Sequence, residues 1–255
     1  MGIKKVSGLM ENKACELFFE EIDRILEKIK KTQKENILKA AELVSECIKN
    51  DGVVYTFGTG HSHLIAEEIF ARAATLFPVR AILEPSLTGH HEVTKSFKVE
   101  RLEGFGKILV EHVRPKLQDI FIVISNSGVN AAPVEFAIEA KKRGNKVIAI
   151  TSKHYSENVA SRHSSGKKLM DVADIVLDNC GRFGDYAIKV PNLEQGLGPT
   201  SGITGAYIIH SIMVQAAANL VGVRKELLSF HFGELSCPRA EVELFNDIVF
   251  FSNLE

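Results

Sequence analysis

The 255-residue chain has almost no net charge: 31 Lys and Arg stand against 32 Asp and Glu, a formal balance of −1. That argues against a nucleic-acid role, which usually shows as a basic face. Cysteine is scarce. Cys15, Cys47, Cys180 and Cys237 form no CxxC pair and fit no zinc spacing. They read as free thiols in a reducing compartment. The first residues hold no apolar core of signal-peptide length. The longest uninterrupted apolar runs fall far short of the roughly 20 residues that cross a bilayer. A Walker A sequence is missing. Gly58 and Gly60 begin a dinucleotide fingerprint, but His63 occupies its third glycine position. Repeats, heptads, low-complexity tracts and an interdomain linker are also missing. The expectation is one soluble, cytoplasmic domain over 1–255, with no cofactor, no metal, no membrane and no nucleic-acid partner.

What is present changes rhythm along the chain. Residues 11–50 carry two stretches of apolar residues at helical spacing, separated by polar 32–36, and predict a helical hairpin. Short β-branched runs follow at 53–57, 79–83, 120–124, 146–150 and 174–177. Each is nearly continuous rather than alternating, which marks strands buried on both faces of a parallel sheet. Helical patterns at 62–76, 103–113 and 131–143 separate them, so the fold class is α/β, a doubly wound five-stranded parallel sheet in a three-layer α-β-α sandwich. Two long polar connections, 84–102 and 151–171, interrupt the alternation. A long apolar helix is predicted from 201 to 221 and a short one from 239 to 250.

Ligands of doubly wound sheets sit outside the C-terminal ends of the strands. The residues there are alike. Gly58-Thr59-Gly60-His61-Ser62 follows the first strand, and Ser125-Asn126-Ser127-Gly128-Val129-Asn130 the third. Thr151-Ser152 follows the fourth, and Gly198-Pro199-Thr200-Ser201 precedes the last long helix. Glycine lets backbone approach an anion, N–H groups at helix starts favour it, and short hydroxyls add donors. That chemistry suits phosphate, and the hydroxyls and amides suit a sugar. A single such loop is equally explained as an N-cap.

With those residues in view, the chain resembles the sugar isomerase (SIS) domain family over roughly 35–225. Ile122-Val-Ile-Ser125-Asn126-Ser127-Gly128, with Thr151-Ser152 one strand later, is similar to its central motif. Gly58–Ser62 matches its G-x-G-x-S pattern. Gly196-Leu-Gly-Pro-Thr200-Ser201-Gly-Ile-Thr204 resembles the G-L-A-P-T-S-S-T-T of arabinose 5-phosphate isomerases. The organisation also resembles phosphoheptose isomerase-like proteins. The resemblance implies a flavodoxin-like order of strands and a homodimer or homotetramer. It also implies a phosphorylated-sugar ligand held by Ser125, Ser127 and Asn130, with Asn126 helping. It places Ser62 and His61 near sugar or phosphate, and Ser152 near the sugar.

Isomerisation between an aldose and a ketose needs groups that open the ring and move a proton between adjacent carbons. The candidates are His231, His61, Glu68 and Glu103. His231, in Ser-Phe-His231-Phe-Gly, resembles the S-H-P-G-G of the arabinose-phosphate enzymes, with Phe232 in place of proline. Two departures stand out. Val129 replaces the glutamate of the related S-N-S-G-E pattern. Glu68 and Arg72 stand where zinc-using heptose-phosphate isomerases carry histidine and glutamate. The leading expectation is therefore an isomerase of sugar phosphates. A non-catalytic phosphosugar sensor and an amino-sugar-phosphate lyase or etherase are the alternatives. The 84–102 connection, with His90-His91-Glu92, is expected to set substrate choice.

Overall fold

The computed structural model describes residues 13–72, 74–89 and 92–222. Helix α1 (Lys13–Lys49) opens it as one continuous 37-residue helix. The predicted hairpin is not formed. Residues 32–36 contain neither glycine nor proline, so nothing in them breaks the helix. Their polarity has another cause. The Gln33 side chain, buried in mid-helix, accepts from the Asp178 N–H at 3.1 Å, and the Asn36 amide donates to the Val176 carbonyl at 3.3 Å. Both residues satisfy the backbone of a strand at the sheet edge, which would otherwise lie open.

The sheet is five-stranded and parallel throughout: β1 (Val54–Gly58), β2 (Val79–Ile82), β3 (Ile120–Ile124), β4 (Lys146–Thr151) and β5 (Ile175–Asp178). The spatial order is β2-β1-β3-β4-β5. All five apolar runs read from the sequence are strands. β1 and β3 are buried along their whole length, as a strand covered on both faces must be. Ile120, Ile122 and Ile124 point into one apolar layer with α1, α2 (Ser62–Glu68) and α9 (Ser201–Leu220). Phe121 and Val123 point into the other, with α5 (Phe105–Val113) and α6 (Ala131–Lys142). There Phe136 stacks on Phe57 at 4.4 Å between ring centroids and meets Phe121 edge-on at 5.2 Å.

Three boundaries differ from expectation. α2 stops at Glu68 rather than near residue 76, and Ala71 and Ala74 adopt left-handed φ of 48° and 61°. Beyond it Ile69 and Leu76 both enter the core, so burial pulls the chain off its helical path. The connection 84–102 is not irregular: it holds α3 (Pro85–Thr88) and α4 (Val93–Val99). The second connection holds α7 (Lys153–Glu157) and α8 (Leu169–Val172). A two-stranded ribbon of β6 (Ile188–Lys189) and β7 (Gly196–Leu197) precedes α9. Helix α9 is long and apolar enough to cross a membrane by length and composition alone, although no uninterrupted apolar run in it has that length. Ser211, His210, Gln215 and Asn219 interrupt it, and Ile208, Ile209, Ile212 and Met213 are buried in the layer shared with α1. The predicted 239–250 helix and His231 lie outside the described residues.

Candidate functional site

β1 and β3 are neighbours, yet the chain leaves them in opposite directions, toward β2 and toward β4. Such a switch of direction opens a crevice at the C-terminal ends of the strands. The loop 58–62 forms one bank. Gly58 is required there, because a Cβ would stand 2.5 Å from the Ser62 carbonyl oxygen. The loop 125–130 forms the other bank. Gly128 has φ +65°, and a Cβ on it would meet the Thr151 Oγ1 at 2.8 Å. Its N–H donates to the Ser125 Oγ at 3.2 Å, which curls the loop. Asn130 then caps α6 in extended conformation.

Glu100, at the end of α4, joins the two banks. It is 8% exposed. Its carboxylate accepts from the Thr59 hydroxyl at 3.0 Å and from the Asn130 side chain, and its carbonyl accepts from the Ala132 N–H at 3.0 Å. Burial pushes its carboxyl above the usual glutamate range. The Thr59 and Asn130 hydrogen bonds and the charges of Arg101 and Arg162 oppose that shift. Arg162 hydrogen-bonds the Asn130 Oδ1, and its own N–H donates to the Val129 carbonyl at 2.8 Å.

The remaining strand ends are tied to this bank. The Ser152 N–H donates to the Asn126 carbonyl at 3.0 Å, and the Asn179 amide to the Asn126 Oδ1 at 2.8 Å. Ser152 is fully buried. Its hydroxyl accepts from the Tyr155 N–H and donates to the Gly181 carbonyl at 2.6 Å, so it holds the β4 loop together.

At α9 a carboxylate already occupies the anion position. Asp185 Oδ1 accepts from the N–H of Thr200 at 3.0 Å, the N–H of Ser201 at 2.9 Å and the Thr200 hydroxyl at 3.1 Å. Its Oδ2 accepts from the Ser201 hydroxyl at 2.6 Å. Both hydroxyls expected for a ligand therefore serve Asp185. Beside them a cavity of about 480 Å³ lies between α2 and α9. Its polar wall is His61, Glu68, Asp185 and Ser201, and its apolar wall includes Leu64, Pro199 and Ile203. Glu68 pairs with Arg72 one turn on and with the His210 Nε2 at 3.0 Å across to α9.

The predicted residues thus separate into groups. Thr59, Ser125, Asn126 and Asn130 build the crevice. Ser62 and Ser127 flank it half-buried, and their hydroxyls make no hydrogen bond to a described residue. His61 and Glu68 share the cavity. Glu103 is not part of its lining. Both its oxygens accept from Ser164, one from the N–H and one from the hydroxyl, each at 2.6 Å. Those bonds hold its carboxyl below the usual range. Val129, at the departure from S-N-S-G-E, is fully buried. Reading the sequence missed Glu100, Asp185, Arg162 and Asn179. Each is one polar residue in a connection full of them, with no spacing to mark it.

A parallel α/β sheet of this order, with a glycine- and hydroxyl-lined crevice at its switch point, defines a doubly wound ligand-binding protein. The SIS domain model matches residues 17–152. A UPF0309 protein of Halalkalibacterium halodurans is 44% identical over 207 residues, 81% of this chain and 84% of that protein. A UPF0309 protein of Thermoanaerobacter pseudethanolicus is 42% identical over 215 residues, 83% of this chain and 86% of that one. Among solved structures, a phosphoheptose isomerase from Neisseria gonorrhoeae superposes with a TM-score of 0.53 at 22% identity, over 82% of this chain and 99% of that one. The chain belongs to the SIS domain family.

Proposed function

We propose that the protein binds a phosphorylated sugar, with the phosphate in the β1/β3 crevice and the sugar reaching toward the α2/α9 cavity. One observation carries this reading. Among the described residues, the hydroxyls of Ser62 after β1 and Ser127 after β3 are half-buried and uncommitted to the fold's own hydrogen bonds. The backbone N–H groups of Asn126 and Ser127 and that of Ala131 at the start of α6 add donors suited to an oxyanion. The SIS family membership and the phosphoheptose isomerase fold support the same ligand class.

Aldose–ketose isomerisation is the reaction we assign. His61 and Glu68, the latter paired with His210, border the cavity and supply groups able to take and return a proton. A second reading, binding without turnover as a sensor, is favoured by the buried apolar Val129. A cytoplasmic homo-oligomer belongs to the proposal, and exposed Leu64, Ile203 and Val214 on α2 and α9 suit packing between subunits. The test is incubation with a panel of sugar phosphates in D₂O, followed by NMR. Deuterium entering at C1 or C2 of one sugar establishes the isomerase. Saturable binding with no exchange and no product replaces it with the sensor. No binding of any member overturns both.

A further inference from the structure

We infer that Arg162 is the residue that reads the phosphate charge of the ligand, and that Glu100 sets its position through Asn130. This rests on the phosphosugar reading. It concerns a residue of the 158–168 segment, which lies far in sequence from both banks of the crevice.

The loop 125–130 offers hydroxyls and amides but no cation. Neutral donors bind a sugar hydroxyl and a phosphate oxygen in similar ways. A guanidinium separates them, because its charge and planar fork fit a phosphate dianion. Arg162 is a cation that the fold hydrogen-bonds directly to this loop. Its backbone N–H donates to the Val129 carbonyl, which fixes where its side chain starts. Its guanidinium then bonds the Asn130 side-chain oxygen. Arg162 is exposed and forms no ion pair with a described carboxylate. A guanidinium carries five donors, and this arrangement leaves most of them for a ligand.

The orientation of the Asn130 amide follows from Glu100. An ionised carboxylate only accepts, so it takes the Asn130 NH₂. The amide oxygen is thereby turned to the other side, where Arg162 meets it. Thr59, Glu100, Asn130 and Arg162 form one chain of hydrogen bonds running from the β1 loop to the segment 158–168. Glu103 has a supporting part: by gripping Ser164 it pins the loop that carries Arg162. Glu100 and Glu103 are positioning residues, and Arg162 is the one that touches phosphate.

Inorganic phosphate is the probe, titrated into the full chain by calorimetry, with thermal denaturation confirming that each variant is folded. Arg162→Ala is expected to weaken phosphate binding by about 10- to 100-fold, with Arg162→Lys recovering part of the loss. Glu100→Gln is expected to weaken it less, and to add nothing when combined with Arg162→Ala. Asn130→Ala follows the same pattern and replaces Glu100→Gln if that variant does not fold. Unchanged affinity in Arg162→Ala overturns the assignment of Arg162. A Glu100→Gln loss of equal size in the Arg162→Ala background overturns the positioning role. A parent protein that binds neither inorganic phosphate nor any sugar phosphate overturns the phosphosugar reading itself, whereas binding that ignores Arg162 overturns this inference alone.

Discussion

The 125–130 loop and the 200–201 turn read alike as sequence: hydroxyls and a nearby glycine ahead of a long helix. The structure uses them in opposite ways. At the turn, Asp185 fills the anion position and takes two N–H groups and two hydroxyls. At the loop, the Glu100 carboxylate takes side chains, those of Thr59 and Asn130, the Ser127 hydroxyl is uncommitted and Arg162 stands alongside. A helix start favours negative charge whoever supplies it. Where the chain supplies its own, the site is structural. Where its carboxylate is engaged by side chains and a cation is added, a ligand can complete the site.

The largest test of this contrast is Asp185→Ala. Removing an acceptor of four hydrogen bonds is expected to lower stability by about 2–3 kcal/mol, read by urea unfolding. A loss under about 0.5 kcal/mol would mean that water replaces the carboxylate, and the two helix starts would then be equivalent. Next come two serines. Ser152→Ala leaves the partly buried Tyr155 N–H and the buried Gly181 carbonyl without their hydroxyl and is expected to cost about 1–3 kcal/mol of stability. Ser127→Ala should leave stability within about 0.5 kcal/mol. It should weaken phosphosugar binding by about 1.5–3 kcal/mol, measured by calorimetry. Equal effects of both variants on stability would erase the distinction.

The smallest effect concerns Glu100 and pH. Burial raises its folded carboxyl above the ordinary value, so the folded state holds the proton more tightly than the unfolded one. Stability therefore falls as pH rises from the ordinary glutamate range through the raised folded value. Glu100→Gln should flatten that part of the urea-derived stability curve. An unchanged slope would show that Glu100 is solvated when the protein is folded. Asp119, raised by burial as well, leaves a residual slope of the same sign.

The legibility of the site followed from how local each signal was. The β1 and β3 loops were readable because glycine and hydroxyls follow an apolar strand directly, and strand burial forces that loop to the sheet edge. Glu100 was not readable, since nothing at residue 100 announces that Thr59 and Asn130 will close on it. Gln33 and Asn36 show the converse error. Their polarity looked like a break in the helix, and it is the lining of a sheet edge 140 and 145 positions away in sequence.

The sequence by itself determined the strands, the parallel α/β class and the loops at the ligand edge; burial on both faces held for β1, β3 and β4, whereas β2 and β5 at the sheet edges are only partly buried. Periodicity and hydrophobicity act over a few residues, and those features are local. Tertiary structure alone decided that α1 is unbroken, that Asp185 occupies the start of α9, that His61 and Glu68 face one cavity, and that Glu100, Asn130 and Arg162 align. Each of those depends on hydrogen bonds between segments distant in sequence, and only the folded chain brings their partners together.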